Sequence, residues 1–170
     1  MPLIARSGAL ALAAAITSAV GASGRAAPAQ QPCPLAGTWT LVAADKELPD
    51  GTRAQDYGTA PTGRLMIDAE SRYSLQIFKQ ERPSFASGDK VKGTDTEFKE
   101  AVLGSSTHLG MLHVDAAAGV LVFEIEDSSF PNWKKTQQQR TYTLTGDVLT
   151  YRVPTRPDGS IPISIWRRLN

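Results

Sequence analysis

The chain has 170 residues, a formal net charge of +1 and one cysteine, Cys33. A near-neutral chain without a basic stripe is not typical of proteins that bind nucleic acid or an anionic membrane surface. A single thiol excludes an intramolecular disulfide and leaves a free thiol or an intermolecular bridge. The length is that of one domain with one sizeable core.

The N-terminal 29 residues have the pattern of a secretory signal peptide. Arg6 precedes an apolar run over residues 9–20, and Ala27-Pro28-Ala29 offers an Ala-x-Ala cleavage site. The apolar run is far shorter than the roughly 20 residues that span a bilayer. We therefore expect residues 1–29 to be removed, residues 30–170 to form the mature domain, and the protein to be periplasmic or secreted.

The mature region is predicted to consist of short strands separated by turns, with one helix. Thr94 and Glu97 have the spacing of a capping box, and Gly104 lies where the helix would end. No alternation of strands and helices occurs, which argues against a doubly wound fold. Alternating apolar and polar residues predict strands over residues 37–44, 64–68, 73–79, 107–115, 120–127, 137–145, 148–153 and 162–169.

This pattern fits either a sandwich or a closed barrel, and residues near the two ends of the domain favour the barrel. Gly37-Thr38-Trp39 opens the first strand and Arg168 lies in the last, an arrangement that resembles the closed end of lipocalin barrels. The resemblance implies that Trp39 plugs the barrel floor and that Arg168 stacks on its indole in a cation–π contact. Gly37 would allow the close approach at this corner.

A longer set of residues resembles one family. Phe130-Pro131-Asn132-Trp133, then Arg140 and Gly146-Asp147-Val148-Leu149, is similar to a hairpin of the bacterial and fungal lipocalin-like domain family, a calycin-type β-barrel. The resemblance extends over residues 35–169. It implies an all-β fold, an eight-stranded antiparallel lipocalin-like β-barrel with one short helix, around a ligand cavity.

The chain departs from the family pattern at two places in the expected interior. His108 stands where the family often has an aromatic residue, and Phe123-Glu124 stands where it often has a histidine pair. Barrels of this kind serve as carriers and, in some biosynthetic pathways, as cyclases or isomerases. The resemblance therefore implies a container, and its function has to be argued from the site.

Parity along each strand separates lumen candidates from surface residues, because side chains alternate across a strand. The same parity places Leu65, Ile67, Ile77, Leu149, Ile163 and Ile165 on the inward face. The predicted ligand-binding residues are Arg140, Tyr142, Phe123, Ile125, Tyr73, Leu75, Tyr151 and Met111.

Arg140 and Tyr142 form the sharpest chemical feature. They lie two residues apart on one face, where a guanidinium and a phenol could hold the carboxylate of an amphipathic acid. The alternative is structural: if the flanking strands pair as a hairpin, Arg140 lies near Asp127, and an ion pair would leave no anion site.

The sequence contains no complete catalytic set. His113 and Asp127 are the candidates for acid–base assistance. His108 and His113 are five residues apart and so face opposite sides of one strand, which does not suit a shared metal ion. No metal and no cofactor are predicted.

The sequence thus predicts an exported barrel that binds or carries a small hydrophobic or amphipathic molecule in its lumen. We expect a monomer or weak dimer, without a nucleic-acid partner and without a membrane span. Two alternatives stay open: a cyclase or isomerase that uses the cavity, and a structural or stress-related barrel that has no ligand.

Overall fold

A computed structural model describes residues 32–169. The predicted signal peptide, residues 1–29, lies outside the described residues. No helix between residues 32 and 169 is long and apolar enough to cross a membrane. The elements of this part of the chain are β1 (Gly37–Glu47), β2 (Arg53–Gln55), β3 (Thr62–Ile67), β4 (Arg72–Phe78), α1 (Asp95–Leu103), β5 (Ser105–Asp115), β6 (Val120–Ser128), the 3-10 turn Pro131–Trp133, β7 (Thr136–Thr145), β8 (Val148–Arg152) and β9 (Ile161–Leu169).

Eight of these strands close into an antiparallel barrel. β1 pairs with β3, each strand from β3 to β8 pairs with the next, and β9 returns to pair with β1. The short β2 adds to the end of β1, where it pairs with residues 45–47. The predicted eight-stranded barrel with one helix is confirmed, and the sandwich is excluded because the sheet closes on itself.

The helix begins and ends where the sequence predicts. The Thr94 side chain accepts a hydrogen bond from the Glu97 backbone N–H at 3.3 Å, and the Thr94 backbone N–H donates to the Glu97 carboxylate at 2.7 Å. Gly104 caps the C-terminus. α1 contains no buried residue, so it lies on the outside of the barrel and does not fill its interior.

The floor of the barrel is built around Trp39, which is fully buried. Its indole N–H donates to the Leu35 carbonyl at 3.0 Å, and the guanidinium carbon of Arg168 lies 4.1 Å from its ring centroid. Arg168 also donates to the Ala36 carbonyl. Gly37 has a φ of 135°, and a Cβ there would approach the Arg168 guanidinium to 2.9 Å. The structure therefore places all three predicted closure residues in contact at one end.

Cys33 lies in this same packed end. It precedes the first strand, yet it is 7% exposed and belongs to the core cluster. Its backbone N–H donates to the Ala69 carbonyl at 3.2 Å, which ties the segment before β1 to the turn after β3.

The inward residues of β3, β4 and β8 are those predicted from parity. The prediction that Ile165 faces inward is wrong. On β9 the inward face carries Ser164 and Trp166, which are the cross-strand neighbours of Tyr151 and Leu149. Trp166 is fully buried, and Ile163 is buried at the opposite end of the strand. The sequence suggested the opposite because Ser164 is small and polar, so the face of Ser164 and Trp166 looked less apolar than the face of Ile163 and Ile165.

A β-bulge interrupts the pairing of β5 with β6. Leu109 pairs with Asp127 and Gly110 pairs with Ile125, so Glu126 is an extra residue on β6. Since one extra residue reverses the parity of a strand, Asp127 does not continue the inward face of Phe123 and Ile125. It lies opposite the exposed Leu109.

Candidate functional site

A cavity of about 310 Å³ occupies the end of the barrel opposite Trp39. Its apolar wall includes Leu75, Ile77, Val153 and Pro162, and charged and aromatic residues surround its opening. The polar groups of its inner wall are Ser106, His108, Gln138, Arg140, Tyr151 and Ser164.

Arg140 is the central polar residue of this wall and is only 4% exposed. Its Nη2 donates to the Gln138 side-chain oxygen at 2.8 Å and lies 3.2 Å from Nε2 of His108. Its guanidinium carbon lies 4.1 Å from the ring centroid of Phe123 and 5.0 Å from that of Tyr151. The cation is thus positioned by two aromatic faces and two neutral acceptors.

His108 connects Arg140 to a buried tyrosine. Its Nδ1 lies 2.8 Å from the Tyr73 hydroxyl. A guanidinium can only donate, so Nε2 must be the unprotonated nitrogen and Nδ1 carries the proton. Burial, with the charge of Arg140 as a second cause, lowers the pKa of His108 to about 2, and burial raises the pKa of Tyr73. Both groups are therefore neutral near pH 7.

Two buried donors of this wall lack a hydrogen-bond partner within residues 32–169. They are Nε of Arg140 and the hydroxyl of Tyr151. Tyr151 is 1% exposed. A buried donor without an acceptor costs about 1–3 kcal/mol, so both atoms favour binding of an acceptor at this position.

The predicted Arg140–Asp127 ion pair is wrong. The bulge at Glu126 turns Asp127 to the outer face, where its carboxylate pairs with Lys134 at 2.7 Å. Among the described residues, no carboxylate lies within ion-pair distance of Arg140. Burial lowers the pKa of Arg140, but a guanidinium stays charged in proteins. The lumen therefore contains a buried positive charge that this part of the chain does not neutralise.

The carboxylates at the cavity opening have cations of their own. Asp45 pairs with Arg53 at 2.7 Å, and Asp56 pairs with Arg156 at 2.7 Å. These ion pairs lie at the rim of the cavity, so they do not compensate the positive charge of Arg140 on its inner wall.

Five of the predicted ligand-binding residues lie at this site. Arg140, Tyr151 and Leu75 line the cavity. Phe123 and Tyr73 lie behind its wall, where Phe123 stacks on Arg140 and Tyr73 contacts His108.

The other three predicted residues do not line the cavity. Tyr142 is the cross-strand neighbour of Tyr151, but it is half-buried and packs against the core without lining the cavity. Met111 has the parity opposite to that of buried His108 and Leu112 and is only half-buried. Ile125 is buried in the core without reaching the cavity.

The two acid–base candidates lie away from the lumen. His113 is exposed and contacts Glu124 at 3.2 Å, and exposed Asp127 pairs with Lys134. The prediction that His108 and His113 face opposite sides agrees with their burial. Among residues 32–169 no three His, Cys, Asp or Glu side chains cluster as metal ligands do.

His108 and Gln138 are the site residues that sequence reasoning missed. Gln138 shares the parity of Arg140, and His108 shares that of the buried Leu112. The parity signal was therefore present, but histidine and glutamine are more common on surfaces, and neither residue was among the predicted ligand-binding residues.

Comparison with known proteins agrees with this architecture. A family model described as a lipocalin-like domain matches residues 36–169. The chain belongs to the lipocalin-like domain family. The match includes every strand of the barrel, and the predicted family is confirmed.

Three proteins are similar to this lipocalin-like protein at 29% identity or less. A 4'-hydroxy-3'-methoxypropiophenone carrier protein from Aspergillus oryzae is 29% identical over 82 residues, which are 45% of this chain and 74% of that protein. A lipocalin-like protein from Bacteroides uniformis superposes with a TM-score of 0.39 and 14% identity, over 79% of this chain and 98% of that one. A fatty acid transporter, REP1-NXSQ, superposes with a TM-score of 0.37 and 12% identity, over 80% of this chain and 96% of that one.

Proposed function

We propose that this lipocalin-like protein binds and carries a small amphipathic molecule, with the apolar body of the molecule in the lumen and its polar end at Arg140. The observation that carries the proposal is a buried guanidinium in the wall of a mostly apolar cavity, without a carboxylate partner among the described residues. Burying an unpaired charge is costly, and a ligand that carries an acceptor offsets that cost.

The Aspergillus relative supports the same class of function. Its name describes a carrier of a small aromatic ketone, and a cavity of about 310 Å³ suits a molecule with one or two rings. Of the groups expected to assist a cyclase or isomerase, His113 and Asp127 lie on the outer surface. Carriage is therefore the function that the geometry supports best.

A matched pair of probes tests the proposal. The probes are 2-naphthoate and the neutral 2-acetonaphthone, which have the same ring system, titrated by calorimetry. The wild-type protein should bind 2-naphthoate, and Arg140→Met should weaken this binding about tenfold or more, since a hydrogen bond to a charged group contributes about 1.5–3 kcal/mol. Binding of 2-acetonaphthone should change much less.

Arg167→Met is the control variant, because Arg167 lies on the exposed face of β9. It should leave both affinities unchanged, and circular dichroism should show that both variants keep the β fold. Failure of the wild-type protein to bind either probe at millimolar concentration would contradict the proposal. An equal loss of affinity for 2-naphthoate in Arg140→Met and Arg167→Met would contradict it as well.

We also propose that the protein acts after export. The support is the signal-peptide pattern of residues 1–29. Expression of the full chain in a Gram-negative host should give a periplasmic product whose intact mass is that of a chain beginning at Gln30. A cytoplasmic product that retains Met1–Ala29 would contradict this proposal.

A further inference from the structure

The charge state of a bound ligand follows from the residues around Arg140. The side chains that contact the guanidinium are neutral. They are His108 from β5, Phe123 from β6, Gln138 from β7 and Tyr151 from β8, and Tyr73 from β4 contacts His108 behind them. The inner wall therefore carries one positive charge and no negative one. In a site of low polarity, such a charge strongly favours a nearby anion over a neutral molecule.

The acidic residues nearest to the cavity do not cancel this preference. Asp45 and Asp56, at the opening, are paired with Arg53 and Arg156. Glu126 is exposed at the bulge on β6. These carboxylates are solvated or ion-paired, whereas Arg140 is buried.

The two unpartnered donors give the anion a defined position. Nε of Arg140 and the hydroxyl of Tyr151 belong to residues that line the same cavity and contact each other through the Tyr151 ring. Charge-assisted hydrogen bonds from a guanidinium and a hydroxyl to an oxyanion are stronger than those to a neutral oxygen. An oxyanion uses both donors, and a neutral ligand gains less from them.

Building on the proposed carrier function, we propose that the site takes up weak oxygen acids, including phenols conjugated to an acyl group, as their oxyanions held by Arg140 and Tyr151. The ligand loses its O–H proton to the solvent as it binds, and the protein itself changes no protonation state. The site thus selects ligands by their ability to ionise, in addition to their shape.

The test uses 4-hydroxyacetophenone, whose phenolate absorbs at longer wavelength than its phenol. 4-Methoxyacetophenone is the matched probe, since it cannot ionise. The absorbance of bound 4-hydroxyacetophenone is titrated with pH. We expect the wild-type protein to lower the pKa of the bound phenol by at least one unit, a tenfold preference for the anion. Calorimetry midway between the pKa values of the free and the bound phenol, in buffers of different ionisation enthalpy, should show the release of roughly half a proton or more for each ligand bound.

Variants separate the two donors. Arg140→Met should abolish the pKa shift of the bound phenol, and Tyr151→Phe should reduce it. Tyr142→Phe is the control, because Tyr142 has the same parity as Arg140 and lies outside the cavity. It should keep the full shift.

The outcomes distinguish this inference from the carrier function. If both probes bind and 4-hydroxyacetophenone keeps its solution pKa, ionisation on binding is wrong and carriage stands. A shift that survives in Arg140→Met also overturns the inference. If neither probe binds to the wild-type protein, and 2-naphthoate does not bind, both the inference and the carrier function are wrong.

Discussion

His108 shows how the barrel interior controls protonation. It lies between the Tyr73 hydroxyl and the Arg140 guanidinium and is 4% exposed. Protonation would place a second positive charge beside Arg140 and remove the acceptor that Nε2 provides. The neutral ring therefore fixes the position of the guanidinium, on which the proposed ligand binding depends.

This burial predicts a specific dependence of stability on pH. The pKa of His108 falls from 6.5 to about 2 on folding, so below pH 6.5 the unfolded chain binds a proton that the folded chain does not. Stability is then lost as pH falls, by about 1.4 kcal/mol per unit for this group, or about 2 kcal/mol between pH 7.5 and pH 5. His108→Gln should lose this component in urea denaturation measured across that interval.

The second histidine supplies the control for that measurement. His113 is exposed, so His113→Gln should keep the dependence of the wild-type protein. Equal slopes in the wild-type protein and His108→Gln would show that His108 titrates normally in the folded state.

At the level of elements, one bulge accounts for the unpaired charge. Gly110 on β5 has a φ of 154°, and a Cβ there would lie 1.9 Å from the Glu124 carbonyl oxygen. Only glycine allows β5 to approach β6 in this way. The approach accommodates the extra residue Glu126, and the reversed parity turns Asp127 outward, away from Arg140.

Gly110→Ala should therefore be strongly destabilising. The backbone has to move to relieve the overlap, and we expect a loss of more than about 3 kcal/mol, typical of a disrupted special backbone position. Gly88→Ala is the matched control: its φ of 65° is also positive, but nothing lies within 4 Å of its Cβ. It should cost about 1 kcal/mol from backbone strain alone. Similar losses in the two variants, measured by urea denaturation, would contradict this account of the bulge.

Most elements and the main residues of the site, Arg140 and Tyr151 among them, could be predicted from local pattern, whereas the partners of Arg140 could not. In a strand with one buried face, apolar and polar residues alternate over enough positions for the strand to be recognised. β2 has only three residues and shows no such pattern. The position of Asp127 depends on an extra residue that only pairing reveals. The same holds for the partners of Arg140, since Gln138 and His108 reach it from different strands.

At the level of the whole molecule, the two ends of the barrel differ. One end is filled by Trp39 and Trp166, both fully buried. The other contains the cavity and is bordered by ion pairs between segments far apart in sequence, such as Glu47–Arg152 at 2.8 Å. Closure through β1 and β9 brings the start and the end of the domain together, and the cavity depends on that closure.

Arg168 should contribute to this closure. It stacks on Trp39 and donates to the Ala36 carbonyl, so it links β9 to the segment that enters β1. Arg168→Met should lower the free energy of unfolding by about 2 kcal/mol, from the lost cation–π contact and charged hydrogen bond. Exposed Arg167, its neighbour on β9, provides the control, since Arg167→Met should change stability by less than about 0.5 kcal/mol. A loss of similar size in both variants would show that the stacked guanidinium is not special.

The buried position of Cys33 allows local unfolding of the packed end to be measured as a rate of thiol labelling. This is the single thiol of the chain, and at 7% exposure it is shielded from bulky reagents in the native barrel. A thiol-reactive dye should therefore modify the protein only as fast as that region transiently opens. Labelling rates, compared with and without a lumen ligand, would then report whether occupancy at one end of the cylinder slows local unfolding at the other.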